Sequence, residues 1–482
     1  MNRGGPALVW FRRDLRLADN PALIAAAAGG WPVVCLFVLD PETERIGAAA
    51  RWRLGQGLAA LAAALACQGQ RLILRRGEAL AVLRAVLAET GARALHWGRL
   101  YTPVEIARDK AVKAALQAEG VAVASHAGAL LAEPWDVATG SGGPYRVYTP
   151  FWRAIAARGV APPLAAPSAM RTPAVWPASE KLKDWQLGAS VARGGSVLAR
   201  YARVGQQAAE ARLAEFLAAA VADYATARDF PAQAGTSGLS EHLALGEIGV
   251  RQIWHAAIRA MHEGASGAEQ FLRELVWREF AAHLMYHFPD LASRAWRPGW
   301  DAFPWRGDTG DAEAWRRGET GEPFVDAAMR EMYVTGRMHN RARMVAASYL
   351  TKHLLTDWRV GLAWFAECLT DWDPASNAMG WQWVAGCGPD AAPYFRVFNP
   401  ATQAERFDPD GSYRRYWLGP GQAGAAAFLE AAPRRWGLVP AAARPRPLIG
   451  LAEGRARALG MLAAMRGAAK APCADRAAGE NW

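Results

Sequence analysis

Three short stretches carry residue types that could hold a flat, polar ligand and react with it. In Phe271-Leu-Arg-Glu-Leu-Val-Trp-Arg-Glu-Phe-Ala-Ala-His283, offsets of three and four residues put Glu274, Trp277 and Arg278 on one face of a helix. An acid, an indole and a guanidinium together can grip such a ligand by its edge and its plane; a surface ion pair beside a half-buried indole is the plainer alternative. In His339-Asn-Arg-Ala-Arg-Met344, Asn340 and Met344 share a face and Arg341 lies one turn from Met344, a wall of amide, thioether and cation. The third stretch, Asp371-Trp-Asp-Pro-Ala-Ser-Asn-Ala-Met-Gly-Trp-Gln-Trp383, sets two acids ahead of a helix, whose N-terminal dipole favours negative charge. Asn377 and Trp381 are one turn apart there, whereas Trp381 and Trp383 point about 200° apart, so packing in one core explains at most one of these indoles. His283 and His287 have a metal-ligand spacing but no HExxH, and Cys387 stands without a His or Asp pattern, so all three read as structural.

These stretches need scaffolds. The first 132 residues alternate β-rich apolar runs (Ala7-Phe11, Val33-Leu39, Arg71-Leu74, Ala94-Trp97, Val121-Ala124) with alanine-rich helical stretches, the pattern of a five-stranded parallel doubly wound α/β sheet. Asn20-Pro21 reads as a helix start, and Gly91 and Gly120 as helix ends. No GxGxxG follows the first strand and no GxxxxGK[ST] occurs, so neither glycine loop for NAD or ATP is present. Residues 133–200 have the Pro/Gly/Ser content of a long connector, yet Tyr145, Tyr148, Phe151 and Trp152 predict that it packs across one or both domains. Residues 201–470 read as a larger all-α domain, with Phe271–Phe288 and His339–Trp358 each long enough for four or more turns. The tail, 471–482, is expected to fray.

The chain has 482 residues, about three times the length prior of one domain, and its 52 % hydrophobic and 21 % charged content argues against disorder. Its net charge of +10 suits a polyanionic partner, although 49 of the 55 basic residues are Arg, which a GC-rich genome also explains. No apolar run long enough to span a membrane and no secretory signal is evident. Five scattered Cys without a CxxC pair suggest neither disulfides nor zinc and place the chain in the cytoplasm. The 22 Trp exceed what packing ordinarily requires.

Eight ordered stretches carry a resemblance: Trp10-Phe-Arg-Arg-Asp-Leu-Arg-Leu, Arg228-Asp-Phe-Pro, Thr236-Ser-Gly-Leu-Ser240, Glu274-Leu-Val-Trp-Arg-Glu-Phe, Met338-His-Asn-Arg-Ala-Arg-Met344, Asp357-Trp358-Arg, Asn377-Ala-Met-Gly-Trp-Gln-Trp383 and Ala392-Pro-Tyr-Phe-Arg-Val-Phe-Asn-Pro400. The chain resembles the cryptochrome/photolyase family, and within it the cyclobutane pyrimidine dimer photolyases. The resemblance implies a lyase that flips a pyrimidine dimer out of UV-damaged DNA and splits it by electron transfer from photo-excited reduced FAD; a cryptochrome-type blue-light photoreceptor is the alternative. It implies that Tyr224 and Thr236, Ser237, Gly238, Leu239 and Ser240 hold the flavin phosphates, that Phe271 packs on the cofactor, that Arg343 pairs with Asp371, and that Trp372 and Asp373 border the flavin. Asn377 then faces the reactive ring nitrogen. Glu274 hydrogen-bonds the lesion, Trp277 and Trp383 stack on it, Asn340 and Met344 line the wall, and Arg228, Arg278 and Arg341 address phosphates. Trp305, Trp358 and Trp381 match the family's electron relay.

The resemblance also implies an antenna pigment in the N-terminal domain, 5,10-methenyltetrahydrofolate with 8-hydroxy-5-deazaflavin as the alternative; the sequence gives no reason to expect oligomers, so a monomer is expected. Gly238 and Phe271 stand where the family commonly has larger residues, and the sequence after Trp417 departs from its pattern.

Overall fold

The computed structural model describes residues 5–390, 395–439 and 445–468; the tail and the start of the Ala392–Pro400 stretch lie outside them. Five parallel strands, β1 (Ala7–Phe11), β2 (Val33–Leu39), β3 (Leu72–Arg76), β4 (Ala94–Gly98) and β5 (Ala122–His126), form one sheet in the order β3-β2-β1-β4-β5. β1 and β2 are apolar and buried throughout, as strands covered on both faces must be. Their alternation feeds two cores: Val9, Phe11 and Phe37 pack with Leu58 and Leu61 on one side, and Leu8, Trp10 and Leu36 with Leu83 and Val86 on the other. Val9 pairs with Cys35 and His96, so the strand order reverses at β1/β4, where ligands usually sit in such sheets. β3 and β5 each run about two residues past the sequence reading, because parallel pairing continues through Leu39–Arg76 and Gly98–His126.

The connector contains a helix, Tyr148–Arg158, that buries Tyr148, Phe151, Trp152 and Ile155 against the Ala268–His287 helix core. Further on, Met170, Trp185 and Leu187 join the sheet core, and the Glu180 N–H bonds Leu74 O at 2.9 Å, closing the edge of β3. The connector thus packs on both halves of the molecule.

The second half is helical. Ala268–His287 forms one continuous helix. The stretch His339–Trp358 does not: an α-helix, Asn340–Ser348, passes into a π turn, Tyr349–His353, and stops. Leu355 adopts φ of +56°, and the Asp357 carboxylate accepts from Arg359 N at 2.8 Å, capping a new helix, Trp358–Cys368. Local capping here overrides an apolar periodicity that runs straight through. The last described helix is Leu451–Ala468. No helix among the described residues is long and apolar enough to cross a membrane.

Candidate active site

The Pro374–Ala385 helix begins at Asp373, whose carboxylate accepts from Ser376 N at 2.8 Å. Two residues earlier, Asp371 receives Arg343 Nη2 at 2.7 and 3.0 Å, while Arg343 Nε donates to Met338 O at 2.8 Å. One turn into the helix, Asn377 Nδ2 donates to Leu362 O at 3.1 Å, which fixes the amide and leaves its carbonyl oxygen for another partner. From the sheet domain, Arg13 reaches over Trp372, 5.4 Å from the ring centroid, with Nη1 3.8 Å from Asp373.

The Thr236–Ser240 loop turns at Gly238, φ +63°, a conformation that favours glycine. Arg212 Nε donates to Ser237 O at 2.8 Å. Beside the loop, Tyr224, Phe216 and Phe271 are buried and pack edge-on or tilted, with centroids 4.7 to 5.5 Å apart. The smaller residue at 238 is therefore required by its backbone conformation and by the guanidinium lying on it.

These residues suit a flavin dinucleotide. Gly380 lies inside a helix, where alanine is favoured by about 1 kcal/mol, yet a Cβ there would meet nothing within 4 Å. The helix face one turn past Asn377 therefore borders open space. Trp372 Nε1 is buried without a partner, and Arg212 sets a cation on the left-handed loop. Open space, an unspent donor and a phosphate-type nest are what a dinucleotide needs.

The residues expected to read a lesion fall on two walls joined by one turn. Arg228 forms an ion pair with Glu274, and the next residue, Asp229, accepts Arg341 Nη2 at 2.7 Å. Glu274 Oε1 also accepts from Gln270 at 2.8 Å, so Oε2 is the atom left to meet a base edge. Asn340 Nδ2 lies 3.8 Å from Met344 Sδ, and Arg396 lies over Trp383 at 5.6 Å. The expected single face of Glu274, Trp277 and Arg278 is divided among different partners. Trp277 stacks on Tyr148, and Arg278 Nη1 donates to Ala129 O at 2.9 Å across the seam with the sheet domain.

Trp381 is buried, 4.8 Å from the Phe365 centroid and 6.1 Å from Trp315. Trp358, Gly361 and Phe365 share the face of the Trp358–Cys368 helix that meets it. Trp305 is half-buried against Phe303 at 4.3 Å, and its neighbour Arg306 pairs with Leu355 O (2.7 Å) and Asp357 N (2.8 Å), just ahead of Trp358. A Cβ at Gly361 would fall 2.0 Å from the Trp381 ring. Gly361→Ala is therefore expected to displace that indole, destabilise the protein by about 1–3 kcal/mol and slow light-driven flavin reduction. Thermal midpoint and photoreduction rate check this, and an unchanged rate would separate Trp381 from electron supply.

His283 Nε2 accepts from Tyr145 N at 3.1 Å and His287 Nε2 donates to Pro134 O at 3.1 Å. The pair ties down the connector, and no metal-ligand cluster occurs among the described residues. Cys387 is buried, its thiol pushed up to about 12 by burial. Sequence reasoning gave no site role to Arg13, Arg212 or Tyr148: Arg13 lay in the first quoted stretch and Tyr148 among the connector aromatics, while nothing in the local pattern marked Arg212, on the Gln206–Ala219 helix.

A family model described as DNA photolyase matches residues 7–168, and one described as the FAD binding domain of DNA photolyase matches residues 271–464. The deoxyribodipyrimidine photo-lyase of Agrobacterium fabrum is 46 % identical, covering 86 % of this chain and 87 % of its own. Cryptochrome-1 of Arabidopsis thaliana is 34 % identical over 99 % of this chain and 72 % of its own. The crystal structure of a bacterial class III photolyase from Agrobacterium tumefaciens superposes with a TM-score of 0.89 at 42 % identity, covering 97 % of this chain and 99 % of that one. With the sheet half and the helical half each matched, and a photolyase fold superposing on nearly the whole length, the chain belongs to the DNA photolyase family.

Proposed function

We propose that this protein is a light-driven DNA repair lyase, a deoxyribodipyrimidine photolyase that opens cyclobutane pyrimidine dimers, working as a cytoplasmic monomer on UV-damaged DNA. The Arg228–Asp229 turn carries the reading, because it braces Glu274 on one helix and Arg341 on another. An acid, an amide and a thioether thereby stand on two helices that pack against the one bearing both Asn377 and Trp383. Enzymes that act on stacked bases take them out of the duplex, photolyases among them, and the indoles of Trp277 and Trp383 offer the flipped bases their faces.

When bound, reduced FAD supplies a light-excited one-electron donor. The chain's own task is to orient and insulate. Arg343–Asp371 and Asn377 would hold the ring system and Asp373 the ribityl or ribose side, while Thr236–Ser240 with Arg212 and Tyr224 would hold the phosphates. Phe271 excludes water beside them. Glu274 Oε2 fixes the base edge, Arg228 and Arg341 lie next to the DNA backbone with Arg278 behind them, and Trp305, Trp358 and Trp381 lead from the half-exposed surface inward.

For the antenna we favour 5,10-methenyltetrahydrofolate over 8-hydroxy-5-deazaflavin. The crevice outside β1 and β4 is lined by Arg13, Asp14, Arg16, Asn20 and Gly98. Beside it, Arg12 binds Asp109 at 2.8 Å and lies 4.4 Å over Trp10.

The test is to photoreduce the purified holoprotein, add a thymine-dimer oligonucleotide, illuminate with blue light and follow the return of thymine absorbance against a dark control. Light-dependent recovery is expected. Its absence with FAD bound and photoreducible would leave the photoreceptor reading in its place.

A further inference from the structure

Trp277 does not stand alone on its helix. The ring of Tyr148, the first residue of the connector helix, lies 3.7 Å from the indole centroid at an interplanar angle of 7°, a full face-to-face stack. Tyr148 is 5 % exposed; its hydroxyl donates to Arg273 O, and burial raises its phenol above the ordinary range, so it stays protonated. Phe280 meets both rings edge-on, at 5.9 Å from Tyr148 and 5.8 Å from Trp277. The connector is pinned on both sides of this contact by Pro134 O to His287, by Tyr145 N to His283, and by Phe151 packed at a tilt 5.3 Å from Phe280.

We infer that Tyr148 is a positioning residue for lesion recognition: the connector supplies a rigid back wall that presents the free face of Trp277 to the flipped dimer. The inference rests on the proposal that Trp277 stacks on the lesion. With one face covered by Tyr148 and an edge by Phe280, a base has one face left to take. An indole on a helix surface ordinarily keeps several rotamers and loses that freedom when a ligand stacks on it; here the stack removes it beforehand. The tyrosine also lies close to Glu274, whose charge contributes to raising its phenol, so the same wall borders both the hydrogen-bonding and the stacking residue.

The test compares affinities for a dimer-containing oligonucleotide and for undamaged duplex, FAD content, and repair per absorbed photon at saturating DNA. The variants are Tyr148→Leu, Tyr148→Phe, Trp277→Ala and the Tyr148→Leu/Trp277→Ala pair. Tyr148→Leu is expected to weaken dimer binding about fivefold with undamaged binding, flavin content and photon yield unchanged. Tyr148→Phe keeps the ring and is expected to bind within about twofold of the unaltered protein. The double variant should bind no more weakly than Trp277→Ala alone, since the two act as one unit. Full dimer affinity in Tyr148→Leu, an equal loss in Tyr148→Phe, or additive losses in the pair would each overturn the inference. Undiminished affinity in Trp277→Ala would instead remove the pocket reading on which it rests. Tyr148→Met, which fills similar space without a planar ring, takes the place of the leucine variant if that one fails to hold flavin, with the same expected and overturning results.

Discussion

Replacing Asp371 with alanine is expected to yield a folded chain that loses FAD on gel filtration and repairs no dimers. The Asp371 side chain is 6 % exposed and that of Arg343 is 27 %, so the pair lies largely out of water, and Arg343 Nε is already held by Met338 O. Removing the acid leaves the guanidinium without its ion-pair partner at the proposed flavin site. Breaking a buried pair costs about 3–5 kcal/mol; partial exposure of Arg343 brings that to about 2–3 kcal/mol. Spread over cofactor binding, such a loss is worth about a hundredfold in affinity. Asp371→Asn keeps an acceptor without the charge and should fall between. Flavin absorbance per chain and repair with excess FAD are the measurements; an alanine variant that keeps its flavin and repairs normally would reduce the pair to scaffolding. The companion Arg343→Met/Asp371→Leu variant should fold better than Asp371→Ala but still bind flavin poorly, separating the cost of an orphaned charge from the loss of a cofactor contact.

Why the pair escaped periodicity is instructive. The placement of Asp371 and Asp373 before a helix follows from the dipole and from capping, and Asp373 does cap it. The partner of Asp371 lies on another helix, 28 residues earlier, a separation on which local spacing is silent. The same limit applies to Glu274, Trp277 and Arg278. Offsets of three and four placed them on one helix, but their partners Arg228, Tyr148 and Ala129 come from three separate segments. The strands were legible because continuous apolar runs between helical stretches have few other homes, and their ends slipped only where pairing, not composition, sets the length. The break at Leu355 was hidden because apolar spacing continues through it; the signal that marks it is Asp357, a capping residue in a run otherwise read as helix. The resemblance carried the rest: no spacing rule points from Tyr224 to a phosphate or from Trp305 to Trp381.

Arg53→Met is expected to be among the most destabilising single changes in the molecule, and to weaken flavin binding without touching the flavin. Arg53, on the Ala48–Ala66 helix of the sheet domain, binds Glu247 at 2.8 and 2.6 Å, and His242 Nδ1 lies 2.6 Å from the same carboxylate. Arg53 and Glu247 are 0 % exposed and His242 1 %. His242 sits in the Ser240–Leu245 helix that continues from the Gly238 loop, and Arg16 reaches the same turn through Gly246 O at 2.9 Å, so this cluster fastens the proposed phosphate loop to the sheet domain. Without the guanidinium a carboxylate stays buried beside an imidazole, a loss of about 3–5 kcal/mol. Arg53→Met/Glu247→Leu should recover much of the stability, since a buried pair exchanged for apolar residues is often neutral. The sign of the pH dependence follows from Glu247. Burial alone would raise its carboxyl, but the bonds from His242 and Arg53 outweigh that and hold it below the ordinary value. A depressed carboxylate contributes stability above the unfolded value, about 4.3, and loses it as pH falls through the folded one. The gap between the unaltered protein and Arg53→Met should therefore be widest near neutrality and close in acid. Urea midpoints across pH, with flavin content at each point, measure it; a gap that is constant with pH would mean that Arg53 acts by filling space, not by its charge.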